Sequence, residues 1–493
     1  MTFIRTQRSG FHGKGLSFLL GLAVWMNMMP PATAQAAPDP ETVFAQAAKE
    51  GPQNEAIETP DQAAMLVRPL QPSTFLVPGT SPYQTAHLLG DWGGILPFLH
   101  RHGIHPYLNY LAEAAGNPIG GMRQTGAYAH QISIGADLDW YQIAHIKGLS
   151  THFLMVNREG NNLSSALGNL FDVQEIWGGG GDVARLVYFT FEQSLAQGRV
   201  NIMVGRMLAG TDFAASDLYC GFQNLGLCPN PESLFLNSRT SGGGYQIFPY
   251  SSWGGHIRVR PLHNVYIQGG AFEEDTSNLI GASGWDWSTS KATGVLFPFE
   301  IGFTPWSGPH GLPGHYKIGG MFDTASHPDY LYQSQIAAGA TPTVGKTKRG
   351  ITQIYALADQ MIYRTGPGTT SGIVLLGGFV WSDRATAMID RFGFGGVSTT
   401  GLIPGRKMDQ INFLALYGKI NSRIGGSEAI TAAKTGKVTP GIQSNEVDLE
   451  FDYAATLTKG LIMMPNIQYI IRPNAVSSYP NALVFGLRTN VTF

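Results

Sequence analysis

The sequence predicts an all-β protein, a transmembrane antiparallel β-barrel of about 16 strands. Three observations lead to that class. Polar and apolar residues alternate with period 2 through most of the chain. Charged residues make up only 13% of the 493 residues, about half the roughly 25% usual for soluble domains. The body of the chain also lacks the runs of about 18 or more apolar residues that a membrane-crossing helix needs. Disorder is excluded by 26 Phe, 19 Tyr and 9 Trp. A formal net charge of −2 argues against a dedicated nucleic-acid binder.

The N-terminal segment reads as a targeting signal. Arg5, Arg8 and Lys14 form a basic start, and an apolar stretch runs from Leu16 to Met26. Ala32-Thr33-Ala34 and Ala34-Gln35-Ala36 both fit a small-residue cleavage site. Residues 1–36 are therefore expected to be a signal peptide, and the mature chain is exported. Residues 37–87 are rich in Ala, Pro, Gln, Glu and Thr with little periodicity. They read as a flexible periplasmic extension, with a short amphipathic helix at Pro40–Lys49. Residues 88–493 carry the barrel pattern.

That pattern is clearest in three places. Ile132, Ile134, Ala136, Leu138 and Trp140 alternate with Gln131, Ser133, Gly135, Asp137 and Asp139. Val447, Leu449, Phe451 and Tyr453 alternate with Glu446, Asp448, Glu450 and Asp452. At the C-terminus Leu483, Phe485, Leu487, Thr489, Val491 and Phe493 share one face of a strand. A secreted soluble β-protein with one wet sheet face is the alternative of another class. Four carboxylates on one short strand face suit a wide aqueous lumen better, and aromatics near strand ends suit a lipid interface. About 400 residues at roughly 25 per strand, loops included, give about 16 strands, enough to keep a channel open.

Cys220 and Cys228 are the chain's two cysteines. In an oxidising compartment a lone close pair in a Gly/Asn/Pro loop reads as a disulfide that stiffens the loop. Two cysteines make a poor metal site, and no metal or cofactor is expected. Catalytic motifs fail: Gly339 sits one residue too far from Gly345-Lys346-Thr347 for a phosphate loop, and no G-x-S-x-G or H-E-x-x-H occurs. His100, His102 and His105 read as solvated turn residues, and Glu273-Glu274-Asp275 as an exposed loop.

Leu88-Leu-Gly-Asp-Trp-Gly-Gly94, Arg185-Leu-Val-Tyr-Phe-Thr-Phe-Glu-Gln193, Gly205-Arg206, Asp212-Phe213-Ala214 and the Tyr219–Pro231 loop occur in that order. So do Arg258-Val-Arg-Pro261, Glu300-Ile-Gly302, Tyr316–Gly320, Asp359-Gln360 and Asn466–Tyr469. In these blocks the chain resembles the carbohydrate-selective outer-membrane porins (OprB-like) over roughly 88–493. The resemblance implies a short N-terminal helix before a 16-stranded porin barrel. It implies passive diffusion of glucose and similar carbohydrates across the outer membrane of a Gram-negative bacterium, with no catalysis. A general or cation-leaning diffusion porin is the alternative. Expected partners are small carbohydrates, outer-membrane lipid and the barrel assembly machinery, which would read Phe493 as its signal, and no nucleic acid. Porins of this kind occur as monomers and as homotrimers, and both stay open.

A sugar channel needs hydrogen-bonding groups and flat apolar faces along a wet path. Arg185, Glu192 and Arg206 are the polar candidates on the family blocks. Counting by twos puts Arg185 and Glu192 on opposite faces unless a bulge intervenes. Asp137, Asp139, Glu446, Asp448, Glu450 and Asp452 are lumen candidates by alternation, while Asp212 and Glu300 are weaker.

Overall fold

The structure, a computed structural model, describes residues 87–176, 184–239, 247–275, 284–305, 312–365, 371–437 and 439–493. The signal segment 1–36 and all but the last residue of the extension 37–87 lie outside the described residues. Strands β1 (Ile104–Ile119), β2 (Gly126–Asp139), β3 (Leu149–Gly160), β4 (Arg185–Leu195), β5 (Val200–Met207) and β6 (Ser252–Leu262) open the barrel. β7 (Val265–Glu274), β8 (Gly294–Phe303) and β9 (Gly314–Asp323) continue it, and the short pair β10 (Ser326–Pro328) and β11 (Thr347–Arg349) stands apart. β12 (Thr352–Arg364), β13 (Gly372–Ser382), β14 (Ile389–Thr400), β15 (Gln410–Ile420), β16 (Asn445–Thr458), β17 (Leu461–Ile471) and β18 (Ala482–Thr492) complete it. Each barrel strand pairs antiparallel with its neighbours, and β1 pairs with β18 to close a 16-stranded ring. Closure matters because backbone groups in hydrocarbon have no water to bond, so an open edge would be costly.

Short helices decorate the loops: α1 (Ile95–Arg101), α2 (Trp140–Ala144), α3 (Ser164–Leu167), α4 (Ala209–Asp212), α5 (Ser233–Arg239), α6 (Tyr330–Ala338) and α7 (Ser422–Thr435). Among the described residues no helix is long and apolar enough to cross a membrane. α1 is the expected N-terminal helix and leads into β1 through Gly103. The strand connections alternate in length. Those at 196–199, 263–264 and 459–460 lie at the end that holds the start of β1 and the end of β18. Those at 161–184, 208–251, 324–351 and 421–444 lie at the other end. Short turns mark the periplasmic rim and long loops the extracellular one.

Period 2 becomes two surfaces. On β8, Val295, Phe297, Phe299, Ile301 and Phe303 are exposed to lipid, whereas Leu296 and Glu300 are buried on the inner face. β16 does the same, with Phe451 outside and Glu446, Asp448, Glu450 and Asp452 inside. One expectation is corrected here. The lumen is not wet along its whole wall, because loops 161–184 and 208–251 fold into it. Phe171, Tyr219, Phe222 and Leu234 bury themselves against the inner side chains Val380, Phe392, Leu414 and Leu416. Strand β13 accordingly opens Ile373-Val-Leu-Leu376, apolar on both faces because lipid covers one and a loop the other. Glu273-Glu274-Asp275 is also no exposed loop, since β7 runs through Glu274, which is fully buried.

At the periplasmic rim both ends of the barrel are tied. The Leu88 amide donates to the Thr492 carbonyl at 2.7 Å, and the Phe493 amide to Leu108 O at 3.0 Å. His87 Nδ1 donates to the Phe493 carbonyl at 2.6 Å. Gly460 forms the β16–β17 turn with φ +74°, and a Cβ there would stand 2.2 Å from Leu88 N and 2.5 Å from Thr492 O. A left-handed residue with a side chain costs about 1–2 kcal/mol before any clash. Gly460→Ala is thus expected to lower the midpoint of the heat-modifiable gel shift by several degrees, while Lys459→Ala leaves it unchanged.

Candidate permeation pathway

Inside the barrel the inward loops are held by carboxylates of the strands. Glu450 accepts from the Gln223 amide at 2.7 Å, the Asn224 amide at 3.2 Å and Asn466 Nδ2 at 2.8 Å. Glu446 accepts from the Leu170 amide at 2.7 Å and the Phe171 amide at 3.3 Å. Asp448 accepts from Asn224 Nδ2 at 3.2 Å. Asp452 completes the row, buried beside Glu450. The row therefore faces the lumen as alternation requires, yet it is engaged with loop backbone rather than bathed in water. Sequence reasoning could not see this, because nothing in the alternation of β16 tells which loop will reach it.

Glu300, weak by sequence, is the corresponding anchor on the opposite wall. It accepts from the Ala214 amide at 2.8 Å, Tyr355 OH at 2.9 Å, Tyr266 OH at 2.7 Å and Gln268 Nε2 at 2.9 Å. From β18, Arg488 Nη1 donates to the carbonyls of Cys220 at 3.1 Å and Phe222 at 2.8 Å. Its Nη2 pairs with Glu175 at 2.8 Å. Cys220 and Cys228 form the disulfide in this loop. Beside it a small recess of about 30 Å³ is lined by Cys220, Gln410, Met464, Arg488 and Asn490.

The remaining candidates separate by position. Arg185 and Glu192 both face inward, because the β3–β4 register shifts between Leu154 and Met155. Leu154 pairs with Tyr188 and Met155 with Leu186, so Val187 is the extra residue of a bulge that reverses the parity. Glu192 accepts from His152 Nε2 at 2.9 Å and from Asn201, and His152 Nδ1 meets Asp137 at 2.7 Å. Asp139 ends β2 in the register of Asp137, paired with Ser150, and caps α2, accepting from the Tyr141 amide at 2.9 Å. Arg206 stands in register with Phe189 and Trp253 at the extracellular rim, bonded to the Ser251 carbonyl at 2.9 Å and to Asp286 O.

Two arginines at the extracellular half lie against rings of the inward loop. Arg185 sits 4.5 Å from the centroid of Tyr250. Arg158, which the sequence reading missed, sits 5.0 Å from Phe248 and donates from Nε to Gln131 at 2.6 Å. Both are about 3% exposed. The signal that would have found Arg158 is its even-numbered position on β3, which shares the face of His152, Leu154 and Val156.

The sequence profile described as "Carbohydrate-selective porin, OprB family" matches residues 123–493. The chain belongs to that family. It is 28% identical over 421 residues to Porin B of Pseudomonas aeruginosa, covering 82% of this chain and 91% of that protein. It is 26% identical to the putative porin QuiX of Acinetobacter baylyi, covering 82% and 93%. The high-pH structure of Pseudomonas putida OprB superposes with a TM-score of 0.77 at 28% identity, covering 83% of this chain and 99% of that one. The porin is thus a carbohydrate channel of the Gram-negative outer membrane and not an enzyme.

Two outcomes follow from the anchors. Glu450→Ala leaves two loop amides unpaired, at about 1–3 kcal/mol each, so single-channel recordings should show new flickering and a larger mean conductance. Asp212, on α4 of the same inward loop, has its carboxyl pushed up to about 7 by burial, against the pull of Arg258. Its neutral form is the docked one. The contribution to loop docking is complete below about pH 4 and is lost as pH rises toward 7. Current noise should therefore be greater at pH 8 than at pH 5, and Asp212→Asn should remove the difference.

Proposed function

We propose that the porin passes glucose and similar monosaccharides by passive diffusion, with Arg158 and Arg185 as the contacts that favour sugars over other small solutes. The observation that carries this reading is the pairing of each guanidinium with an aromatic ring on one loop, Phe248 and Tyr250. A pyranose offers hydroxyls at its edge and C–H groups on its faces. Guanidinium N–H groups replace the water lost by hydroxyls, and flat rings receive the apolar face. Arg158 Nη1 is buried without a hydrogen-bond partner among the described residues.

The lumen acids weigh against a cation-leaning pore. Glu446, Asp448, Glu450 and Glu300 already accept from loop groups, and the charges nearest the two rings are positive. Glu192, with Asp137 and His152, forms a hydrogen-bonded patch deeper in the lumen that would receive the sugar next. Cleavage of residues 1–36, a periplasmic place for 37–87 and insertion by the assembly machinery at Phe493 belong to the same reading.

Liposome swelling tests it. Glucose is expected to enter several times faster than amino acids of similar size, and Arg158→Ala or Arg185→Ala should cut that ratio at least threefold. Equal rates for both solute classes in the unmodified porin would remove the sugar preference.

A further inference from the structure

The outer face of the barrel carries a feature that permeation does not use. Arg391 on β14 and Lys419 on β15 are direct cross-strand partners, and both are on the lipid side. Arg391 alternates with the buried Phe392 and Phe394, and Lys419 with Gly418 and Ile420. They lie at the extracellular ends of their strands, Arg391 separated by two residues from loop 383–388 and Lys419 by one from loop 421–444. On the other side of Arg391 stands Trp381 of β13, 54% exposed. Beneath this row the wall is apolar, with exposed Phe413 and Tyr417 and, further down β16, Phe451.

Like charges directly opposite each other in a sheet destabilise it, so the pair calls for a counter-charge. The described residues do not supply one. Neither Arg391 nor Lys419 has a carboxylate within 4 Å among the described residues. Of the nearest acids, Asp390 lies 3.6 Å from Arg384 Nε and Asp383 lies 3.7 Å from Lys348 Nζ. Glu446 and Asp448 of β16 point into the lumen, where they hold loop groups.

We propose that this rim binds the phosphates of the outer-leaflet glycolipid, lipopolysaccharide. In an outer-membrane barrel the extracellular ends of lipid-facing strands meet the headgroups of that leaflet. The two cations match a phosphorylated headgroup, Trp381 sits at the level expected of an interfacial aromatic ring, and the wall below receives the acyl chains. The surface is thus a lipid site with two basic ligands and a fitted apolar flank.

Native mass spectrometry of the purified full-length porin, titrated with diphosphoryl lipid A, tests this. Each basic side chain near a lipid surface is worth about a fivefold change in binding. Arg391→Gln and Lys419→Gln should each weaken binding about fivefold and the double variant about thirtyfold. Arg391→Lys with Lys419→Arg should keep it within about threefold, and Lys459→Gln, at the periplasmic rim, should change nothing. Heat-modifiable migration of each variant confirms folding, and the single variants carry the test if the double variant misfolds. Unchanged binding by the glutamine variants would overturn the proposal. So would equal binding of a phosphate-free lipid A by the unmodified porin, or displacement of the lipid by millimolar inorganic phosphate.

Discussion

A loop pushed inside a barrel carries backbone amides away from water, and each must find an acceptor there. That constraint organises the interior of this porin. Glu446 and Glu450 on one wall and Glu300 on the other accept from amides of residues 170, 171, 214, 223 and 224. Arg488 performs the converse task for two carbonyls. The loops that occupy part of the lumen are therefore positioned by strand side chains. Arg158 and Arg185, the proposed sugar contacts, inherit that position, because Phe248 and Tyr250 ride on the anchored loop.

The same constraint explains how far the sequence could be read. The barrel was legible, since lipid outside and polar groups inside impose an alternation that β2, β16 and β18 display plainly. The strand number followed from length alone. The inner face was less legible. The alternation of β13 is blurred, because a folded loop makes its lumen side as apolar as its lipid side. Arg185 was ambiguous until the Val187 bulge restored its parity, and a bulge leaves no mark in a run as apolar as Leu186-Val-Tyr-Phe189.

Site residues divided along similar lines. Asp139 looked like one more member of an alternating strand, and it is the last paired residue of β2, but its carboxylate also caps α2. Glu300 looked isolated in sequence, yet tertiary contact brings it four donors from three other segments. Alternation assigns a face, and only contacts between distant segments assign a task. Glu450 and Gln223 are 227 residues apart, and Arg488 and Glu175 are 313 apart.

Those separations bear on the order of assembly. Arg488 lies on the last strand, which also seals the ring against β1. The loop carrying the disulfide is made early in the chain, yet its deepest tether arrives with the final eleven-residue strand. A barrel still missing that strand would have an open seam together with an inner loop that lacks the Arg488 bonds to the carbonyls of Cys220 and Phe222. Sealing the wall and adding the last of the loop's tethers are in this way one event.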